Sequence, residues 1–269
     1  MHRTPYHPRK SLGQHFLHDA NIARNIVGEL QLLPGDNVLE IGPGPGVLTA
    51  LLVEKDVSLT AIDVDARAIA ELRTRFPEPE HPDLRLIEGD ILKVDYSVLR
   101  EGHDSPFRII GNLPYNITSQ ILFGLYGTTS DVRDAVIMMQ KEVADRIVSG
   151  PGSKEYGILS VMTQTHADIR RCFNVSPNVF RPRPKVWSTV LHLSFHDRML
   201  VQIKNYSFFK RLVKATFGQR RKTLGNSLRN MGIEKAHIPP SLVEFLGRRP
   251  EQLSVGEFIT LSNGLDANE

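Results

Sequence analysis

Three features of the sequence predict an α/β fold: a mostly parallel, doubly wound sheet followed by a small all-helical C-terminal domain. Short apolar runs alternate with helix-like segments over the first two thirds of the chain, and strands separated by helices pack as parallel sheets because each helix carries the chain back to the same edge. A glycine-rich stretch from Glu40 to Gly46 joins the first such run to the next helix. Near residue 197 the texture changes to helical runs alone. With 269 residues the chain can bury a real core in either one large domain with an appendage or two domains. We place the boundary near 197, giving a sheet domain over 1–197, with 1–18 as an N-terminal arm, and a helical domain over 198–269.

The elements follow in order. Asp19 suits the cap of a helix running to about Leu32, with apolar residues at Ile22, Ile26, Val27 and Leu30 on one face. NVLEI (37–41) reads as a strand, the glycine loop follows, and a helix starts at about Val47. SLTAID (58–63) is a strand and Ala66 to Arg75 a helix. LRLIEGD (84–90) and FRIIG (107–111) are strands, a helix starts at about Thr118, and AVIMM (135–139) is again a strand. VWSTVLHLSF (186–195) alternates as a strand of a mixed sheet does. From Tyr206 onward come SFFKRLVKATF, KTLGNSLRNM and Leu242 to Leu246, and a last helix starts at Ser254, where Ser254 and Glu257 have capping-box spacing.

Composition excludes several classes. The apolar share of 41% fits a folded protein, and the lone Cys172 allows no internal disulfide, which points to a reducing compartment, the cytoplasm, and removes thiol-rich metal sites. No stretch approaches the roughly 20 apolar residues of a membrane span. The start, MHRTPYHPRKS, is basic without an apolar core and reads as a solvated arm, although a short organellar presequence has a similar texture. The net charge of +3 is modest, but from Arg198 to Ile233 there are nine Lys or Arg residues and no acidic one. Such a block suits a polyanion, since each neutralised phosphate releases a counterion. The plainer alternative is a solvated helical face.

The loop E-I-G-P-G-P-G follows a strand and opens a helix, so Gly42 and Gly44 let a ligand approach main-chain N–H groups. A nicotinamide dinucleotide site needs G-x-G-x-x-G, and the third position after Gly44 is Val47. Glu40 repels a pyrophosphate and attracts a ligand carrying an ammonium and a sulfonium, which describes S-adenosylmethionine. A Glu40 turned to solvent is the alternative. Asp63 ends the second strand, where a carboxylate accepts the hydroxyls of a ribose. Asp65 is the weaker candidate because it suits the cap of the next helix. Asp90, at the tip of the third strand, is placed to accept the amino group of an adenine, or is simply a turn residue. A Rossmann-like sheet binding S-adenosylmethionine is the resulting expectation, with no metal.

N-L-P-Y (112–115) sits at the carboxyl end of the FRIIG strand. An adenine amine is a poor nucleophile because its lone pair is delocalised into the ring. Two acceptors on its N–H bonds, the Asn112 side-chain oxygen and the Leu113 carbonyl, hold it and favour a localised lone pair. Pro114 fixes the chain direction, and Tyr115 offers a flat face to a base drawn from its stack. A turn with a buried tyrosine is the bland alternative.

At this point the residues carry a resemblance. GQHFL (13–17), EIGPGPGxLT (40–49), EGD (88–90), NLPYNITS (112–119), QKEVAxR (140–146), FxPxPKV (180–186), QRRKTL (219–224) and RPEQLS (249–254) resemble the ribosomal RNA adenine N6,N6-dimethyltransferase family, in particular its bacterial small-subunit (16S rRNA) branch. The resemblance spans nearly the whole chain. It implies that His15, Leu17, Gly42, Asp63, Asp90 and Asn112 contact S-adenosylmethionine and that Tyr115 and Phe180 sandwich the target adenine. It also implies transfer of four methyls to two adjacent adenosines near the 3′ end of 16S rRNA in a pre-30S subunit. Two departures stand out: His15 where many members have Asn, and Asp63 where Glu is usual. The shorter Asp63 arm implies a shifted ribose contact.

Phe180 lies among Arg181, Arg183 and Lys185, in a segment that Pro182 and Pro184 keep extended, which fits single-stranded RNA, although a core phenylalanine fits too. Trp187 reads as core. The helical domain adds RNA surface through Lys210, Arg211, Lys214, Arg220, Arg221 and Lys222. Three other readings stay open: the same chemistry on 23S rRNA, as in macrolide resistance; a non-catalytic assembly or transcription factor on this fold; and, more distantly, an NAD-dependent dehydrogenase. A monomer without membrane attachment is expected.

Overall fold

The computed structural model describes residue 9 and residues 13–100, 102–127 and 130–266. The stretches 1–8 and 10–12 of the expected arm lie outside the described residues. The strands are β1 (Phe16–Leu17), β2 (Asp36–Ile41), β3 (Val57–Asp63), β4 (Leu84–Glu88), β5 (Phe107–Asn112), β6 (Val132–Gln140), β7 (Ala167–Val175), β8 (Phe180–Arg181) and β9 (Ser188–Phe195). The helices are α1 (Ala20–Glu29), α2 (Thr49–Leu52), α3 (Ala66–Arg75), α4 (Tyr96–Leu99), α5 (Thr118–Leu125), α6 (Lys141–Val148), α7 (Ile158–His166), α8 (Tyr206–Gly218), α9 (Leu224–Asn230) and α10 (Val255–Asp266).

The main sheet has the order β4-β3-β2-β5-β6-β9-β7. β2, β3, β4, β5 and β6 are parallel neighbours, and β9 returns antiparallel to β6. Strand order therefore reverses at β2 and β5, where successive connections leave in opposite directions and open a crevice beyond the strand tips. Gly111 permits the two tips to close up: a Cβ there would come within 2.6 Å of the Ile41 carbonyl oxygen.

Local chemistry sets the helix ends. Asp19 accepts the backbone N–H groups of Asn21 and Ile22 at 2.8 and 3.0 Å, capping α1 as the sequence predicts. α2 is shorter than predicted, a single turn from Thr49, because the chain is still turning through Gly46 at φ +78°. The sequence predicts no strand over 167–175; β7 has mostly half-exposed or exposed side chains, so it lacks the clean alternation that marks a strand.

The described residues fall into two compact units: those up to 144 together with 169–195, and 145–168 together with those from 196 onward. The boundary drawn near 197 leaves 145–168 with the sheet, whereas this segment clusters with the C-terminal helices. In the first unit α1, β2, α3, β5 and β6 share a core that includes Ile26, Val38, Leu72, Ile110 and Val136. In the second, Phe217 meets Tyr156 at 5.9 Å and Phe258 at 5.7 Å between ring centres. Ser254 and Glu257 form the predicted capping box, the Ser254 N–H donating to Glu257 at 2.7 Å and the Glu257 N–H to Ser254 at 3.3 Å. Arg248 holds the Glu257 carboxyl down at about 2. Among the described residues no helix is long and apolar enough to cross a membrane.

A buried charge cluster at the start of the central strands was not legible in the sequence. Arg108, 4% exposed, donates to Asp134 at 2.9 and 2.6 Å, to Asp36 at 2.8 Å and to the Leu30 and Gln31 carbonyls. His192 reaches the same Asp134 oxygen at 2.9 Å. Burial pushes the Asp134 carboxyl up, but Arg108 and His192 outweigh it and leave it below the ordinary carboxylate range. Arg108→Met strands two carboxylates in the interior, and urea unfolding at pH 7 is expected to show a loss of about 3 to 5 kcal/mol. Because the folded-state pKa of Asp134 is depressed, its contribution is present above the unfolded carboxylate pKa and lost as pH falls through the folded value. The gap between variant and native protein is therefore expected to narrow in acid.

Candidate active site

The crevice at the β2/β5 reversal is lined by the segment 13–17, the glycine loop, Glu40, Asp63, Val64 and residues 112–117. Gly42, Gly44 and Gly46 all have positive φ, +69°, +52° and +78°, which only glycine adopts without strain. A Cβ on Gly42 would meet nothing within 4 Å, so this backbone borders open space in which a ligand can sit against it. Asp63 anchors the loop: it accepts the Gly44 N–H at 3.2 Å on one oxygen and the Asp65 N–H at 2.9 Å on the other. Asp65 caps α3 through the Arg67 N–H at 3.2 Å. Its predicted alternative role is the one the structure shows.

Glu40 is 1% exposed and does not turn to solvent. Thr49 donates to it at 2.7 Å. Desolvation, only partly offset by Thr49 and reinforced by the nearby Asp63 charge, pushes the Glu40 carboxyl up to about 7. Asp63 is also raised, chiefly by burial. Two desolvated carboxyls at one cleft disfavour an anion and favour a cation.

At the tip of β5, the Asn112 side-chain N–H donates to the His15 carbonyl at 2.9 Å. A carbonyl can only accept, so this contact fixes which end of the amide is which. Asn112 itself lines the crevice. Leu113 is 1% exposed, and its N–H donates to Met138 at 3.1 Å, extending the β5 to β6 pairing. The Pro114 carbonyl accepts from Thr118 at 2.9 Å, starting α5. Tyr115 shares a hydrogen bond of 2.7 Å between its hydroxyl and Ser188. The His15 ring stacks on that of Tyr115 at 5.3 Å and an interplanar angle of 27°, and its Nδ1 lies 2.7 Å from the Pro182 carbonyl. Ser188 carries no motif signal; only the folded chain brings it to Tyr115.

Several expected site residues sit elsewhere. Asp90 does not line the crevice; it caps a short turn through the Leu92 N–H at 3.1 Å, with Lys93 at 3.7 Å. Phe180 is 2% exposed and belongs to the core, because β8 pairs with β1 and sets Phe180 opposite Leu17; in this conformation it offers no face to a base. Leu17 itself is core at 5% exposure while still bordering the crevice. Trp187, expected in the core, is 52% exposed. Arg181, Arg183 and Lys185 are exposed as expected, as are Arg221 and Lys222. Arg220 is engaged within its own unit, donating to the Ser153 carbonyl at 2.9 Å with Glu251 at 3.9 Å. Among the described residues no three His, Cys, Asp or Glu side chains are grouped to hold a metal ion.

The Glu40 pKa makes cation binding a proton-linked event. A folded value raised to about 7 means that this group favours the folded state below the ordinary carboxylate pKa and loses that contribution as pH rises through 7. A cationic ligand restores it by favouring the ionised form. Calorimetry with S-adenosylmethionine at pH 6.5, in buffers of different ionisation heat, is expected to show release of up to one proton. The release is expected to vanish at pH 8.5 and in Glu40→Gln.

The sequence matches the model of the family described as ribosomal RNA adenine dimethylase over residues 6–249. A protein named Ribosomal RNA small subunit methyltransferase A from Bacteroides thetaiotaomicron is 43% identical over 259 residues, covering 96% of this chain and 94% of that one. Its namesake from Xanthomonas campestris pv. campestris is 45% identical over 259 residues, 95% of each chain. Among solved structures, a dimethyladenosine transferase from Plasmodium falciparum aligns with a TM-score of 0.79 at 25% identity over 92% of this chain and 96% of that one. The 23S rRNA methyltransferase ErmE shares the fold, with a TM-score of 0.69 at 24% identity over 93% of this chain and 99% of that one. A family match of that length, with curated relatives above two-fifths identity from end to end, means that the chain belongs to the ribosomal RNA adenine dimethylase family of methyltransferases.

Proposed function

We propose that this protein dimethylates the N6 amino groups of two adjacent adenosines near the 3′ end of 16S rRNA, using S-adenosylmethionine, during maturation of the small subunit. The observation that carries the reading is the Asn112 amide, oriented by its N–H bond to the His15 carbonyl and lining the crevice together with Tyr115. That crevice also holds the glycine cradle, Glu40 and Asp63. The names of the relatives, small subunit methyltransferases, support the choice of the small subunit.

S-adenosylmethionine supplies an electrophilic methyl on a positively charged sulfur. Gly42 and Gly44 give it close main-chain approach, Glu40 complements its positive charge, and Asp63 accepts from its ribose through the lone pairs its two backbone contacts leave. Asn112 and the Leu113 carbonyl each accept one N–H of the target amine, which holds the lone pair in line with the methyl. As the new C–N bond forms, the C–S electron pair stays on sulfur, and the arylammonium then sheds a proton. It is acidic enough to need no dedicated base. Tyr115 carries the base on the ring face that His15 does not cover.

Arg181, Arg183, Lys185, Arg221 and Lys222 supply phosphate contacts. The protein acts as a monomer in the cytoplasm on a pre-30S particle. Transfer of labelled methyl to undermethylated 30S subunits is the direct test. Label confined to 50S subunits would reject the substrate.

Two variants probe the assignments. Asn112→Ala is expected to lower kcat by about two orders of magnitude, as loss of an oriented polar group at a reacting centre does, while calorimetric affinity for S-adenosylmethionine falls far less. Reversing Arg221 and Lys222 together to Glu is expected to weaken subunit binding and reduce the slope of log K against log salt by about 2. Arg220→Glu, which loses internal partners, is expected instead to lower the unfolding midpoint.

A further inference from the structure

Trp187 is the single tryptophan of the chain, and a half-exposed indole requires an explanation. It stands on a rigid base. Its carbonyl accepts the Lys141 N–H at 2.9 Å, and the next residue, Ser188, pairs with Gln140 at the start of β9. Ser188 in turn holds the Tyr115 hydroxyl at 2.7 Å. The indole thus projects from a fixed point one residue away from the contact that positions Tyr115. Val186 beside it is 43% exposed, which widens the apolar surface. Just upstream, Arg181, Arg183 and Lys185 are all exposed, and no acidic residue occurs between Asp168 and Asp197. An exposed aromatic ring beside a run of cations is the arrangement that takes single-stranded RNA, with bases on the ring and phosphates on the cations.

We propose that Trp187 is a stacking platform for an unpaired RNA base flanking the target adenosine. The inference rests on the rRNA methylation reading above and extends it to a residue that no motif marks. It also supplies the exposed aromatic surface that the buried Phe180 does not. A protein partner would meet the indole as well, but the cation run and the absence of acids favour a polyanion.

Because the chain has one tryptophan, its fluorescence reports on this site alone. Titrating the full chain with a short single-stranded oligoribonucleotide containing two adjacent adenosines is expected to quench the indole. A matched oligomer with abasic riboses is expected to leave it bright. On undermethylated 30S subunits, Trp187→Ala is expected to raise KM roughly tenfold with kcat within about twofold, while Trp187→Phe restores KM and both variants keep native affinity for S-adenosylmethionine. An indole that stays bright at saturating oligomer, or a KM unmoved by the alanine variant, overturns the proposal. A raised KM for subunits together with an unquenched indole also overturns it, and assigns the indole to a ribosomal protein. Failure of the unaltered protein to methylate 30S subunits would sink the underlying reading instead, and the oligomer titration would still decide whether Trp187 stacks on a base.

Discussion

The hydrogen bond from the Asn112 amide to the His15 carbonyl, 2.9 Å long, is the constraint on which the site depends. It joins the tip of the central strand β5 to the segment that enters β1, residues distant in sequence. Without it, Asn112 could present either end of its amide to the crevice. With it, the nitrogen end is held against the His15 carbonyl, and the orientation of the amide is set. The same segment brings the His15 ring onto Tyr115 and sets Leu17 opposite Phe180 in the β1–β8 pair. One backbone carbonyl therefore couples the polarity of the site to its walls.

The parallel part of the sheet was legible because β2, β3, β5 and β6 are nearly continuous apolar runs that the helices cover on both faces. The glycine loop and Asn112 were legible because each is a local pattern at a strand tip. What the sequence hid is non-local. β7 is a partly exposed strand, and β1 and β8 are two residues each, too short for any period to show. The Arg108 cluster draws on residues from Leu30 to His192, each an unremarkable charge or carbonyl in its own stretch. Arg220 looks in the sequence like its neighbours Arg221 and Lys222, and only folding gives it the Ser153 carbonyl.

The two aromatics of the 180–188 segment show how a local argument misleads. Side-chain size and apolarity place both Phe180 and Trp187 inside a protein on average, and the surrounding cations argue equally for exposure. Pairing decides between them. Phe180 is drawn into a two-residue strand against β1 and so faces the core. Trp187 precedes β9, outside the ladder, where only its backbone is held. A motif position thus fixes where a residue lies along the chain, while a strand partner fixes whether its ring is available.

The electrostatics of the crevice follow from the same economy of position. Glu40 ends near the tip of β2 and Asp63 at the tip of β3, and those strands are hydrogen-bonded neighbours. Two carboxyls on adjacent strand tips repel each other, which adds to the cost of burying them. Backbone N–H groups on Asp63 and a hydroxyl on Glu40 offset part of the cost; burial, to which the Asp63 charge adds a smaller push, still raises the Glu40 carboxyl to about 7. A pyrophosphate would meet that negative charge directly, whereas a cationic ligand replaces the proton. The loop, with Val47 where a dinucleotide fingerprint has its third glycine, and the charge of the strand tips therefore act in the same direction, against a pyrophosphate and for a cation.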